Sequence, residues 1–116
     1  MAMKKINILG TEYTVEYKTN NQDDILKEAN GYCDITSKRI VILSEKRSSD
    51  EIDDFQYLQR KTLRHEVIHA FIFESGLFTN TYCVDGGWAK NEEMVDWIAI
   101  QFPKIQKAFV ELGCDT

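Results

Sequence analysis

The first part of the chain alternates between apolar and polar residues in the manner of β-strands. Residues 4–9 and 12–17 alternate on either side of Gly10-Thr11, a pattern typical of a β-hairpin. Two further extended runs cover residues 32–35 and 39–43. The second of these is rich in β-branched residues and bounded by charges, which favours a strand.

Helical patterns fill most of the remaining chain. A short helix is expected over residues 24–30, ending before Gly31. Ser48 and Glu51 have the spacing of a capping box, which predicts that a longer helical region begins there. Nothing interrupts that region before Gly76, a natural residue to follow a helix, although one helix and two helices fit equally well.

The last third of the chain predicts two more helices. After a loop over residues 77–87, a helix is expected over 91–101, and Pro103 is placed to open a final helix over 104–112. Strands followed by helices predict an α+β fold. We expect one domain in which a small antiparallel or mixed sheet of three to four strands packs on the long helix, followed by two further helices.

Composition sets limits on the class of protein. The 116 residues are 43% apolar and 28% charged, the balance of an ordinary globular domain. A net charge of −5 argues against a nucleic-acid partner. The sequence shows neither a membrane-length apolar run nor a signal peptide at its start, so we expect a cytoplasmic protein without a membrane partner. Its three cysteines lack metal-binding spacing and are expected to be reduced thiols.

Both histidines of the chain fall in one pentapeptide, His65-Glu66-Val67-Ile68-His69, within the predicted long helix. Residues four apart lie on one helical face, so the two imidazoles can point at one metal ion. The pattern H-E-x-x-H is the zinc signature of metallopeptidases, with Glu66 as general base. The plainer alternative is two ordinary histidines on an amphipathic helix.

A catalytic zinc site needs a third protein ligand, and the chain has no third histidine. Glu92 and Asp96 are four residues apart in the next predicted helix, so one can bind the metal while the other orients a ligating imidazole. Glu93 is the reserve, because a shift of one residue in the helix would exchange it with Glu92. Either glutamate also suits the first turn of a helix as a solvated carboxylate.

These residues resemble the gluzincin metallopeptidases, in which H-E-x-x-H is followed by a downstream glutamate ligand and, four residues later, a polar orienting residue. The chain is most similar to compact members, the minigluzincins and the ImmA/IrrE-like enzymes of bacteria and phages, over roughly residues 31–101. The resemblance implies that His65, His69 and Glu92 bind Zn²⁺. It also implies that Asp96 accepts a hydrogen bond from His65 and that the substrate is a polypeptide, such as a regulatory protein.

Three weaker features concern the same site. Tyr82, in the predicted loop, is a candidate donor to the transition state, although such a residue more often serves packing. Cys114 lies in a tail that could fold back onto the metal and make an enzyme latent. The strand over residues 39–43 is either a sheet edge that pairs with an extended substrate or a core strand.

The leading hypothesis is therefore a zinc-dependent endopeptidase. A zinc-binding regulatory module without peptidase activity is the main alternative. A plain interaction domain whose histidines never meet a metal is the third.

Overall fold

Four strands form one mixed sheet in the computed structural model, which describes residues 3–80 and 88–116. The strands, in the order β1-β2-β4-β3 across the sheet, are β1 (Lys4–Ile8), β2 (Thr11–Lys18), β3 (Gly31–Asp34) and β4 (Arg39–Leu43). The outer pairs are antiparallel, and the two inner strands β2 and β4 are parallel. With the helices below, this confirms the predicted α+β fold.

A tight turn connects β1 to β2, as the alternating pattern predicts. Leu9 and Gly10 both have positive φ, 51° and 96°, which is the geometry of a two-residue hairpin turn. The Asn7 side chain accepts a hydrogen bond from the Gly10 amide at 2.8 Å. The predicted hairpin is confirmed.

Strand β4 is buried on both faces. Ile40 and Ile42 belong to one core, and Val41 packs on the opposite face against Leu26 of a 3-10 helix, Asp24–Lys27. β4 also pairs with β2 on one side and β3 on the other. Of the two roles predicted for residues 39–43, the core strand is confirmed and the sheet edge is wrong, because the parallel pairing with β2 places β4 inside. In the described sheet β3 is an edge strand.

The long helix, α1 (Phe55–Glu74), begins later than the capping-box pattern predicts. Asp54 caps it by accepting a hydrogen bond from the Tyr57 amide at 2.9 Å. The expected start near Ser48 is wrong because Arg47 holds the preceding segment in another conformation. Its guanidinium binds Asp50 at 3.0 Å and also reaches the carbonyl oxygen of Leu26 at 2.7 Å. The end is as expected, since Gly76 follows with φ 88°.

One stripe of α1 packs on the sheet. Leu63 and Val67 pack against the core cluster that contains Ile40 and Ala70. Phe71 on the same helix is 40% exposed, so it is not part of the buried face.

Glu74 fastens the last turn of α1 to the sheet. Its carboxylate accepts hydrogen bonds from Thr11 and Tyr13, both at 2.7 Å, and pairs with Lys38 at 3.2 Å. The sheet and α1 therefore form one unit on which the candidate site is built.

A short helix, α2 (Leu77–Asn80), and one continuous helix, α3 (Glu92–Glu111), follow. The prediction of two helices separated at Pro103 is wrong, because Pro103 lies inside α3. Proline cannot donate to the carbonyl four residues before it, that of Ala99. Arg64 of α1 donates to this oxygen instead, from Nε at 2.6 Å, so the helix continues through the proline.

Among the residues described, none of the helices combines the length and apolar character that crossing a bilayer requires.

Candidate metal centre

The two histidines of the pentapeptide lie on one face of α1, one turn apart. Their Nε2 atoms are 3.1 Å apart and their rings meet at 69°, with centroids separated by 4.8 Å. Both side chains are largely buried, with exposed fractions of 14% for His65 and 25% for His69. Two imidazole nitrogens therefore converge on one point beside the sheet.

Glu92, the first residue of α3, supplies a carboxylate at the same point. Its Oε1 lies 2.5 Å from His69 Nε2, and its Oε2 lies 3.5 Å from His65 Nε2. The position follows from local structure, because the Asn91 side chain caps α3 by accepting from the Met94 amide at 2.8 Å. Glu93 lines a separate surface depression with Trp97. The structure thus brings Glu92 rather than Glu93 to the histidines.

The ligand atoms of His65, His69 and Glu92 all lie within 4.8 Å of one another, a separation at which they could hold a metal ion. Ligands about 2.1 Å from a tetrahedral zinc lie roughly 3.4 Å apart. The distances of 3.1 Å between the two Nε2 atoms and 3.5 Å from His65 to Glu92 fit this spacing. The 2.5 Å approach of Glu92 Oε1 to His69 is that of a hydrogen bond. Two imidazoles and one carboxylate are also the donor set of known catalytic zinc sites.

Asp96 lies one turn after Glu92 and faces His65. Its Oδ1 is 3.2 Å from His65 Nδ1, and the same oxygen is 3.1 Å from Lys61 Nζ. Burial acts to raise the pKa of Asp96, but the hydrogen bonds and charges of Lys61 and His65 outweigh it and lower that pKa. An ionised Asp96 favours the tautomer that carries the proton on Nδ1, which leaves His65 Nε2 free to bind a metal.

Glu66 is a buried carboxyl group, 8% exposed, next to His65 in the chain. Burial is the main cause that raises its pKa to about 7, and the charge of Glu92 acts in the same direction against His65 and Lys61. A carboxyl with a pKa near neutrality can both accept and release a proton at physiological pH. Burial likewise lowers the pKa of His69, which favours the neutral imidazole that a metal requires.

A pocket of about 380 Å³ opens at these side chains. It is lined by Glu66, His69 and Glu92 and by the edge strand β3, with Phe73 as part of its apolar wall. Helix α1 approaches β3 closely at Gly31, where an added Cβ would lie 2.8 Å from the Thr62 methyl carbon. The missing side chain at position 31 therefore sets how near the strand lies to the candidate site.

The two remaining weaker sequence features, Tyr82 and Cys114, have different outcomes. Tyr82 lies outside the described residues. Cys114 is exposed beyond the end of α3, and a helix rises about 1.5 Å per residue, so it stands roughly 30 Å from Glu92. A tail folded back onto the metal is thus not the arrangement of this structure. Cys33 lines the pocket, where burial is the main cause that raises its pKa to about 12.

Two residues that position the site were not singled out from the sequence. Lys61 shares the Asp96 oxygen with His65, and its place one turn before His65 on α1 was an available signal. Arg64 holds α3 through the Ala99 carbonyl oxygen. The signal in the sequence is Pro103, because a proline leaves the carbonyl four residues before it without a backbone donor.

Comparison of the chain with models of protein families, with curated protein sequences and with solved structures found no match in any of the three. Functional assignment therefore rests on these residues and their geometry.

Proposed function

We propose that this protein is a small zinc-dependent peptidase of the gluzincin type, acting in the cytoplasm on a polypeptide. The observation that carries the proposal is the convergence of His65, His69 and Glu92 at the pocket that also contains the buried Glu66. These residue types in this arrangement suit hydrolysis better than storage of a metal. Hydrolysis requires a general base beside the ion, which Glu66 can be, whereas a closed structural site requires none.

Each residue of the site would have a separate role in hydrolysis. His65 and His69 would hold the ion through their Nε2 atoms, with Glu92 as third ligand and Asp96 fixing the His65 ring. Zinc bound there would acidify a water molecule and polarise a peptide carbonyl. Glu66, with its pKa raised to about 7, would take a proton from the attacking water and pass it to the departing amine nitrogen.

The substrate would be held as an extended chain. Strand β3 lines the pocket and is a sheet edge among the described residues, so it can hydrogen-bond to an added strand. Phe73 offers an apolar wall beside His69, which favours an apolar side chain next to the scissile bond.

One observation favours the alternative, a zinc-binding regulatory module without peptidase activity. Peptide hydrolysis requires a donor to the developing oxyanion. Among the described residues that line the pocket, Tyr32 is the one with a hydroxyl group, and it donates to Asp23 at 2.5 Å. A module of this kind would still bind zinc but would not cleave.

Cleavage by the Glu66→Gln variant distinguishes the two functions. Zinc-loaded wild type, Glu66→Gln and the control Glu93→Gln are incubated with an unfolded protein mixture, and new termini are counted by mass spectrometry. The peptidase account predicts cleavage by wild type and Glu93→Gln, a loss of at least about 100-fold in Glu66→Gln, and equal zinc content in all three. Zinc-loaded wild type without any cleavage supports the regulatory module, and undiminished cleavage by Glu66→Gln overturns Glu66 as the base.

A further inference from the structure

Helix α3 carries an apolar stripe that continues past the body of the protein. Its members follow one another at alternating spacings of three and four residues, the pattern of a coiled-coil seam. They are Val95, Ile98, Phe102, Ile105, Phe109 and the capping residue Leu112.

Within the part of the chain that the structure describes, the stripe is fully buried only at its start. Val95 is fully buried and packs with Ile72 of α1. Phe102 and Phe109 are 44% and 47% exposed, and Leu112 is 78% exposed. The radius of gyration, 15.3 Å, exceeds the 13 Å or so expected for a compact chain of this length, in keeping with a helix that extends outward. Three large apolar side chains on one helical face are thus left in solvent.

The surroundings of the exposed stripe are those of a helix–helix interface. Positions that flank it, Gln101, Gln106 and Ala108, are uncharged, whereas Lys104 and Lys107 lie on the other side of the helix. The charged side chains of this helix end thus lie away from the stripe, as they do in a helix whose apolar face is covered. The separation points to a second helix that covers the stripe.

A groove beside Phe102 completes the surface. It has a volume of about 370 Å³, and its exposed surface is apolar. It is lined by Phe102 and by the α1 residues Leu63, Arg64, Val67, Ile68 and Phe71. The groove begins where the protruding part of the stripe begins, so one partner can contact both.

We propose that the occupant of this surface is a second copy of the chain, with the two α3 helices packed antiparallel across a two-fold axis. The stripe is self-complementary in this arrangement. Phe102 then faces Leu112 of the other copy, and Ile105 faces Phe109. Because Phe102 lines the groove, Leu112 of the second copy would lie at the mouth of the groove.

The positions that flank the stripe favour a second copy of the same helix. Gln101, Gln106 and Ala108 are uncharged, so two identical helices bring no like charges together beside the stripe.

The size of the surface predicts a reversible dimer. Each copy contributes Phe102, Phe109, Leu112 and one groove. Together the two copies would bury roughly 1,000 Å² of surface, at the lower end of specific interfaces. We therefore expect a dimer that dissociates on dilution in the micromolar range, about 1 to 100 µM. The proposal is independent of the proposed function, since the metal centre lies at the opposite end of α3.

Sedimentation velocity of the full chain over 1 to 300 µM tests the dimer. Wild type should shift from monomer to dimer, and Phe109→Glu should weaken association by at least about tenfold. Val110→Glu is the matched control, because Val110 is also exposed, at 56%, but lies off the stripe, and we expect less than a threefold change. Leu112→Lys repeats the test at the helix end, where misfolding of the variant is least expected, and circular dichroism checks the fold of each variant. A wild type that stays monomeric, or equal effects of Phe109→Glu and Val110→Glu, would overturn the proposal.

The native Cys114 reports the direction of packing. In the antiparallel pair Cys114 lies opposite Ile100, so the two Cys114 thiols stand roughly 20 Å apart and should not crosslink. Mild oxidation at a concentration that populates the dimer should leave no disulfide at this residue. A disulfide-linked dimer that disappears in Cys114→Ser would overturn the antiparallel arrangement.

Discussion

The Arg64 side chain donates a hydrogen bond from Nε to the carbonyl oxygen of Ala99 at a distance of 2.6 Å. This oxygen is the one that Pro103, four residues later, cannot satisfy. The bond keeps α3 continuous and fastens it to α1 one residue before His65. The helix that brings Glu92 and Asp96 to the histidines is thus held in place at the same turn.

Replacement of Arg64 by leucine should therefore destabilise the protein. The Ala99 oxygen would lose its partner inside a helix, which costs about 1–3 kcal/mol of the free energy of unfolding. Urea denaturation of Arg64→Leu against wild type measures this loss. In the Pro103→Ala background the backbone amide at position 103 can bond to Ala99, so the same substitution should cost less than about 1 kcal/mol. Equal costs in both backgrounds would contradict the role given to Arg64.

Asp96→Asn should weaken zinc binding by about 10–100-fold without removing a ligand, because the amide orients His65 less well than the carboxylate does. Competition with a chromophoric chelator measures the affinity. Lys61→Met is the matched control, since Lys61 binds the same Asp96 oxygen but is not one of the residues that could hold the ion. We expect it to change the affinity less than about threefold. Comparable losses in the two variants would argue that Asp96 acts through general electrostatics rather than through the His65 ring.

Gly31→Ala should destabilise the contact between β3 and α1. The added Cβ would lie 2.8 Å from Thr62 Cγ2 and 3.0 Å from the carbonyl oxygen of Val41, and the latter is backbone that moves little. Overpacking of this kind costs roughly 1–3 kcal/mol. Thr62→Ser removes the nearer atom, so the double variant should recover part of the loss in thermal or urea unfolding. A Gly31→Ala protein as stable as wild type would contradict the close approach.

Stability should fall in acid through Glu74. Hydrogen bonds from Tyr13, then Thr11, and the Lys38 charge lower its pKa in the folded state. The group therefore stabilises the fold at pH values above its ordinary pKa of about 4.3, and this contribution is lost as the pH falls from there through the lowered folded value. Unfolding free energies measured between pH 3 and 7 should depend less on pH in Glu74→Gln than in wild type. Glu45→Gln, at an exposed position, should retain the wild-type dependence.

Features set by local periodicity could be predicted from the sequence. His65 and His69 are four residues apart in one helix, so they must share a face. The alternation of apolar and polar residues around Gly10 predicts the hairpin. The choice between Glu92 and Glu93 depends on where α3 begins. In the structure Asn91 caps this helix, so α3 begins at Glu92.

Features set by distant contacts could not be predicted in this way. The parallel pairing of β2 with β4 makes β3 an edge strand, and no local pattern encodes that order. The late start of α1 depends on Arg47, and the continuity of α3 depends on Arg64, each through hydrogen bonds to backbone carbonyl groups far away in the chain. The capping box at Ser48 and the proline at position 103 predict where helices begin, but hydrogen bonds of this kind override both.

Zinc titration of the Glu92→Gln and Glu93→Gln variants, followed by calorimetry, tests the central claim most directly. If His65, His69 and Glu92 form the metal centre, wild type and Glu93→Gln will bind one equivalent of zinc with the same affinity. Glu92→Gln will then bind at least about tenfold more weakly. Equal affinities for all three proteins, or no zinc binding by wild type, would contradict the metal centre and the peptidase built on it.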